Sequence, residues 1–353
     1  MRSSGSQSPQ PATLQQSQLQ AVLDRYPFKA HQITPVQVEA EKGKGVWKVE
    51  TDKGAVCLKQ TGHPADRIAF SVATQRHLAA HGAPVPEVIP TCDGSLFVAD
   101  GLTAGEQVYA VYQWISGRGA CWEDRNDLRA SVAAMASLHA ASRGFAVPPG
   151  VQVFTKLGRW PDSYAEMEEK LKEWKEQAHS KPDNGFTVHF LAGIDVALEL
   201  AAQARHALTA SSYATLVERL WPGDTLIHQD FGPSNLIMTE RGPYLLDLET
   251  VTFEFPARNL RKLVGELMKS EGGWRNEVLD EILAWYTEVN SLSREHLHLL
   301  AIDLLFPHVF YDAAKNWFKK NKPEKPERMA RATRFEREKA ESISVWLPKL
   351  GGS

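Results

Sequence analysis

From Trp122 to its end the chain carries apolar residues at helical spacing, and the pattern breaks once, at TLIHQDFGPSNLIMTERGPYLLDLET (225–250). That island reads as a loop between two short strands. A non-helical stretch inside a helical half needs a reason, and loops held by a rigid scaffold are where chemistry tends to reside. Around it, DLRASVAAMASLHAAS and the stretches near 161–180, 187–220, 258–270, 275–290, 294–320 and 325–347 read as helices.

The first third has the other periodicity. VQVEAEKGKGVWKVETDKGAVCLKQT (36–61) alternates apolar and polar residues, with glycines at Gly43, Gly45 and Gly54. It predicts a strand, a glycine turn, a second strand, a tight Asp-Lys-Gly hairpin and a third strand with Lys59 near its end. A helix follows around Asp66–His81, with Gly82 as its stop signal. Short strands are expected at GSLFVA and QVYAVYQWI, and WISGRG then reads as a flexible linker.

The expected fold is α+β with two lobes. A lobe with a small antiparallel sheet spans 19–115, and a mainly helical lobe that holds the island spans 116–353. LQAVLDRYPF opens the first lobe as a short helix. Residues 1–18, biased to Ser, Gln and Pro, read as a disordered leader without the apolar segment of a signal peptide.

Composition excludes some classes. Forty basic and forty-three acidic residues give a net charge of −3, which points to neither a nucleic-acid partner nor an anionic membrane. No window approaches the roughly 18 consecutive apolar residues of a membrane span. Cys57, Cys92 and Cys121 form no CxxC pair, so a reducing cytoplasm fits.

Within the island, Asp230, Asn235 and Asp247 form a set of oxygen donors. Phosphoryl transfer needs metal ions, a group that orients the acceptor hydroxyl and a cation on the nucleotide phosphates. Hard divalent ions take carboxylate and carbonyl oxygens. Asp230 and Asn235 lie five apart on one loop, so one can face the acceptor and the other the metal. Asp247 follows the apolar pair Leu245–Leu246 and is expected at a strand end.

His228-Gln-Asp230-Phe-Gly-Pro-Ser-Asn235 resembles the HxDxxxxN loop of the aminoglycoside-phosphotransferase and choline-kinase group. The resemblance covers about residues 30–345. It implies a protein-kinase-like fold, Mg2+, and ATP or GTP as donor to an unknown small-molecule acceptor. By it, Asp230 is the catalytic residue, and Asn235, Asp247 and Glu249 are metal ligands. His228 is loop support, Lys59 with Gly43 and Gly45 holds phosphates, and the Gln113–Trp114–Ile115 linker bonds the adenine. The "AWY", "LSREHL" and "FPHVFY" stretches are similar to the bacterial spore-coat CotS-type proteins, which implies a spore-forming source and other coat proteins as partners.

One departure stands out. Kinases pair the strand lysine with a glutamate on the next helix, and that position falls at or near Ser71, with no acidic residue between Arg67 and Ala83. Gln75 or Asp66 is the expected substitute, or Lys59 lacks a partner. A structural coat protein that keeps the fold without turnover is therefore the rival reading. Trp285, Tyr286, Tyr311 and Trp317 either line an acceptor pocket or pack in the helical core.

Overall fold

The structure, a computed structural model, describes residues 11–39, 43–100, 107–180, 185–270, 272–320 and 325–351. In chain order the elements begin with α1 (Pro11–Leu23), β1 (Ala30–Glu39), β2 (Lys44–Thr51), β3 (Gly54–Thr61) and α2 (Ala65–Ala80). Next come β4 (Val88–Ile89), β5 (Val98–Asp100), β6 (Gln107–Gln113), β7 (Arg118–Gly119) and α3 (Arg125–Ala141). The helical region continues with α4 (Trp160–His179), α5 (Gly185–Ala210) and α6 (Tyr213–Leu220). The island holds β8 (Leu226–Ile227), β9 (Leu236–Thr239), β10 (Gly242–Leu245) and β11 (Thr252–Phe253). The chain ends in α7 (Pro256–Ser270), α8 (Asn276–Thr287), α9 (Arg294–Leu305), α10 (His308–Phe318) and α11 (Pro326–Gly351).

Two compact units result. The first comprises Met1–Arg118, Phe145–Val153 and Ile237–Thr250, and the second Gly119–Gly144, Phe154–Leu236 and Val251–Ser353.

In the first unit the strands pair antiparallel in the order β1-β2-β3-β6-β4, with β5 also on β6. Strand alternation sorts the side chains. Val56, Leu58, Tyr109 and Val111 pack with Leu19, Val22 and Leu23 of α1 on one face. Val108, Ala110 and Tyr112 pack with Ile68 and Val72 of α2 on the other. Cys57 packs against this second face, and Lys59, two positions on, shares it. Helix α1 starts at Pro11, ahead of the expected start at Leu19. A proline tolerates the first helical position because its missing N–H has no partner there anyway. Strand β4 was absent from the sequence reading. It is two residues long and held by its pairing to Tyr112 and Val111, too short to leave a periodic signal.

The second unit is helical. Trp174 of α4, Phe186, Phe190 and Ile194 of α5, Phe310 of α10 and Met329 of α11 share one core. Helix α5 meets α11 closely at Gly193, where a Cβ would stand 2.1 Å from the Thr333 hydroxyl. By length and composition α5 is apolar enough to cross a membrane, against the expectation from the sequence. Phe186, Phe190, Ile194 and Ala197 of α5 are buried in this core. The single helical pattern expected over 294–320 is two helices, α9 and α10, divided next to Pro307, which cannot continue the ladder.

Candidate active site

Strand β3 is paired on both sides, Lys59 opposite Val46 of β2 and Ala110 of β6, so the lysine stem has a fixed origin. Its ammonium lies 2.6 Å from Asp247 Oδ1 and 3.1 Å from Glu249 Oε1. Burial pulls the Lys59 pKa down, but the Glu249 and Asp247 carboxylates outweigh it, and the group stands above the usual lysine value. Lys59 stays charged throughout the physiological range.

The substitutes expected from α2 do not serve. Gln75 Nε2 donates to the Pro86 carbonyl at 2.7 Å, and Asp66 is exposed in the first turn. The second carboxylate comes from Glu249, which is 7% exposed. Helix α2 holds the backbone that presents it. Arg67 Nε donates to the Glu249 carbonyl at 2.6 Å, and Ser71 Oγ donates to the Leu248 carbonyl at 2.9 Å. The residue at the expected glutamate position thus fixes the segment that delivers the replacement charge.

Asp247 has φ +61°, the one positive value on a non-glycine residue among those described. The left-handed region costs an L-residue energy and persists where surrounding contacts impose it. Here the Lys59 bond and the α2 anchors on Leu248 and Glu249 do so.

Gly43, at φ +60°, takes the left-handed turn between β1 and β2. Gly45 lies under the Trp47 indole, where a Cβ would come within 2.1 Å of the ring. Glu41 and Lys42 of the expected phosphate loop lie outside the described residues. In the linker, the Gln113 backbone N–H donates to the Glu87 carbonyl at 2.9 Å. Gln113, Trp114 and Ile115 line a hollow of about 550 Å3 with the β9–β10 hairpin residues Met238 and Tyr244. Gly117 lets the linker cross that hairpin, since a Cβ there would lie 2.3 Å from the Met238 carbonyl oxygen.

The second unit holds the His228–Asn235 loop. The antiparallel pair β8–β11 sets its entry, with Leu226 opposite Phe253 and Ile227 opposite Thr252. His228 is 1% exposed, and its Nδ1 accepts the Asp230 N–H at 3.2 Å. Asn235 Nδ2 donates to the Asp230 carbonyl at 2.8 Å. That bond leaves the amide oxygen of Asn235 as the atom suited to a cation.

Three supports of this loop left no signal in the sequence reading. Asn259 on α7 donates to the His228 carbonyl at 2.8 Å, and its amide oxygen faces His139 Nε2 at 3.0 Å. His139 Nδ1 in turn bonds the Tyr286 hydroxyl at 2.8 Å. Lys262 of α7 donates to the Gln229 carbonyl. A buried polar chain through α3, α7 and α8 therefore holds the loop backbone from behind. Asp230 itself is exposed and lines a cavity of about 770 Å3 inside this unit. Trp285 and Tyr286 are buried in packing, and Tyr311 and Trp317 pack against the α4–α5 core. The cavity's aromatic lining comes from Phe231, Trp274 and Phe335.

The sheet-plus-helix arrangement and the two residue sets define a kinase-like phosphotransferase fold. Residues 38–297 match the family described as the phosphotransferase enzyme family, APH, and the chain belongs to it. Among curated relatives, spore coat protein S of Bacillus subtilis (strain 168) is 29% identical over 307 residues, covering 85% of this chain and 84% of its own. Among solved structures, an aminoglycoside phosphotransferase from Alicyclobacillus acidocaldarius aligns with TM-score 0.70 at 18% identity, covering 98% of this chain and 96% of that one. The amicoumacin kinase hAmiN, in complex with AMP-PNP, Ca2+ and Ami, aligns with TM-score 0.59 at 15% identity over 94% of each chain.

Proposed function

We propose that the protein transfers the γ-phosphoryl group of ATP or GTP to a hydroxyl of a small molecule. The observation that carries this reading is Asp230, on a loop pinned from behind and on the wall of a cavity of ligand size. Asp230 would accept the hydroxyl proton as the acceptor oxygen bonds to phosphorus. The bond from phosphorus to the β-phosphate oxygen breaks, and the nucleoside diphosphate leaves. Lys59, charged and held by two carboxylates, would carry the donor's phosphates with the Gly43–Gly45 turn beside it. Trp114 and Ile115 would meet the base.

Mg2+ takes hard oxygens, and the Asp247 and Glu249 carboxylates of the first unit and the Asn235 amide oxygen of the second would each offer one. Bound there, the ion would neutralise phosphate charge.

The test is ATP turnover in wild type beside Asp230→Asn. Loss in the variant with an unchanged melting temperature supports the reading, and equal turnover in both sinks it.

The Bacillus subtilis relative supports a second reading, a structural part of the spore coat with other coat proteins as partners. Against it, the Lys59 counter-charge is supplied by Glu249 rather than lost. A ligand that binds only the folded state raises the melting point. A rise with millimolar ATP that needs Mg2+ favours the enzyme, whether it works in the cytoplasm or the coat. No rise with ATP or GTP favours the structural part.

A further inference from the structure

The cavity beside Asp230 has a charge pattern that bears on its occupant. Its wall carries six cationic side chains, Arg261, Lys262, Lys269, Arg328, Arg331 and Lys339. Among the described residues, three acidic ones line it, Asp230, Glu266 and Asp312. Helices α7 and α11 supply all six cations. Three are answered by carboxylates: Arg261 by Asp303 at 3.1 Å, Lys269 by Glu266 at 2.5 Å, and Lys339 by Glu336.

Two others are not. Lys262 is half-buried, and its ammonium donates to the Gln229 carbonyl rather than to a carboxylate. Burial, with the neighbouring Arg261 and Arg258, holds its pKa below the ordinary lysine value, against the opposing pull of the Asp230 and Asp312 carboxylates. Arg331 is exposed into the cavity with no ion pair or hydrogen bond to a described residue. Confining like charges in a partly dry site costs energy that an anion would offset.

Resting on the phosphotransferase reading, we infer that the acceptor is an anionic polyol, a hydroxylated small molecule with a phosphate or carboxylate group. Its oxyanion lies against Lys262 and Arg331, and its reacting hydroxyl lies at Asp230. An oxyanion takes guanidinium and ammonium donors together. A cavity of about 770 Å3 holds a sugar-sized molecule of this kind. An amine such as an aminoglycoside, cationic at neutral pH, would meet like charge on this wall.

The test is calorimetric binding to the full chain without nucleotide. The probes are D-glucose 6-phosphate, gluconate, D-glucose and kanamycin, with wild type, Arg331→Glu and Lys262→Gln. We expect one or both anions to bind at least about tenfold tighter than glucose, with kanamycin weakest. Arg331→Glu should weaken the anion about tenfold or more, with an unchanged melting temperature because the residue is exposed and pairs with no described residue. A preference for phosphate or for carboxylate identifies the anionic group. Glucose or kanamycin binding as tightly as both anions overturns the inference. So does anion affinity that both variants leave intact, or no anion binding at all. Because no nucleotide is present, anion binding without ATP turnover sinks the kinase reading alone. Turnover without anion preference sinks this inference alone.

Discussion

Lys59 Nζ lies 3.1 Å from Glu249 Oε1, and that carboxylate stands in for the helix glutamate that α2 lacks. Glu249 is nearly buried, and its carbonyl accepts from Arg67. Glu249→Gln keeps the shape and removes the charge. Charge-assisted bonds are worth more than neutral ones, so kcat/KM for ATP is expected to fall about tenfold to hundredfold. Steady-state turnover at varied ATP checks this, and wild-type kinetics would mean that Asp247 suffices to hold Lys59.

Asp247→Asn should preserve the left-handed backbone, because asparagine tolerates that region as well as aspartate does. Its bond to Lys59 is solvent-exposed and worth about 1 kcal/mol or less. The melting temperature should therefore move by only a few degrees. The rise caused by ATP with Mg2+ should disappear. A variant that keeps the full rise places the ion elsewhere.

Asn259→Leu removes the donor to the His228 carbonyl and the partner of His139 Nε2. Leaving such groups buried and unpaired costs about 1–3 kcal/mol. Denaturant unfolding should show that loss. Turnover should drop further than stability accounts for, since Asp230 is two residues from the freed carbonyl. Equal activity at a temperature where the variant is fully folded would remove Asn259 from the support of the loop.

Acid should weaken the second unit through His139. Burial lowers its pKa to about 4, against the bond to Asn259. The unfolded chain binds the proton near pH 6.5 and the folded chain refuses it. The neutral histidine's stability is present above the unfolded value and is lost as pH falls toward the folded one, by about 2 kcal/mol at pH 5. Unfolding free energies at pH 7 and 5 measure this slope. His139→Gln, less stable at pH 7, should show a shallower slope, and an equal one would assign the acid sensitivity elsewhere.

The sheet-then-helix order, the His228–Asn235 stretch and a lysine near the end of the third strand were legible because they are local. A strand alternates over a few residues, a helix repeats over a few turns, and a loop motif sits on one short stretch. What answers them was not local. Glu249 meets Lys59 across most of the chain, and Asn259 reaches His228 from a helix that follows the island. Gln75 was a reasonable substitute by position, yet its amide is used on Pro86.

The sequence by itself therefore determined the kinase-like plan and singled out Asp230, Asn235 and Asp247 as candidates, since periodicity and motif spacing are properties of adjacent residues. Tertiary structure alone decided which carboxylate neutralises Lys59 and which side chains line the space beside Asp230. Those depend on which distant residues packing brings within reach. The cationic wall is the clearest case: α7 and α11 each look like an ordinary charged helix in sequence, and their shared cavity exists only once they are packed.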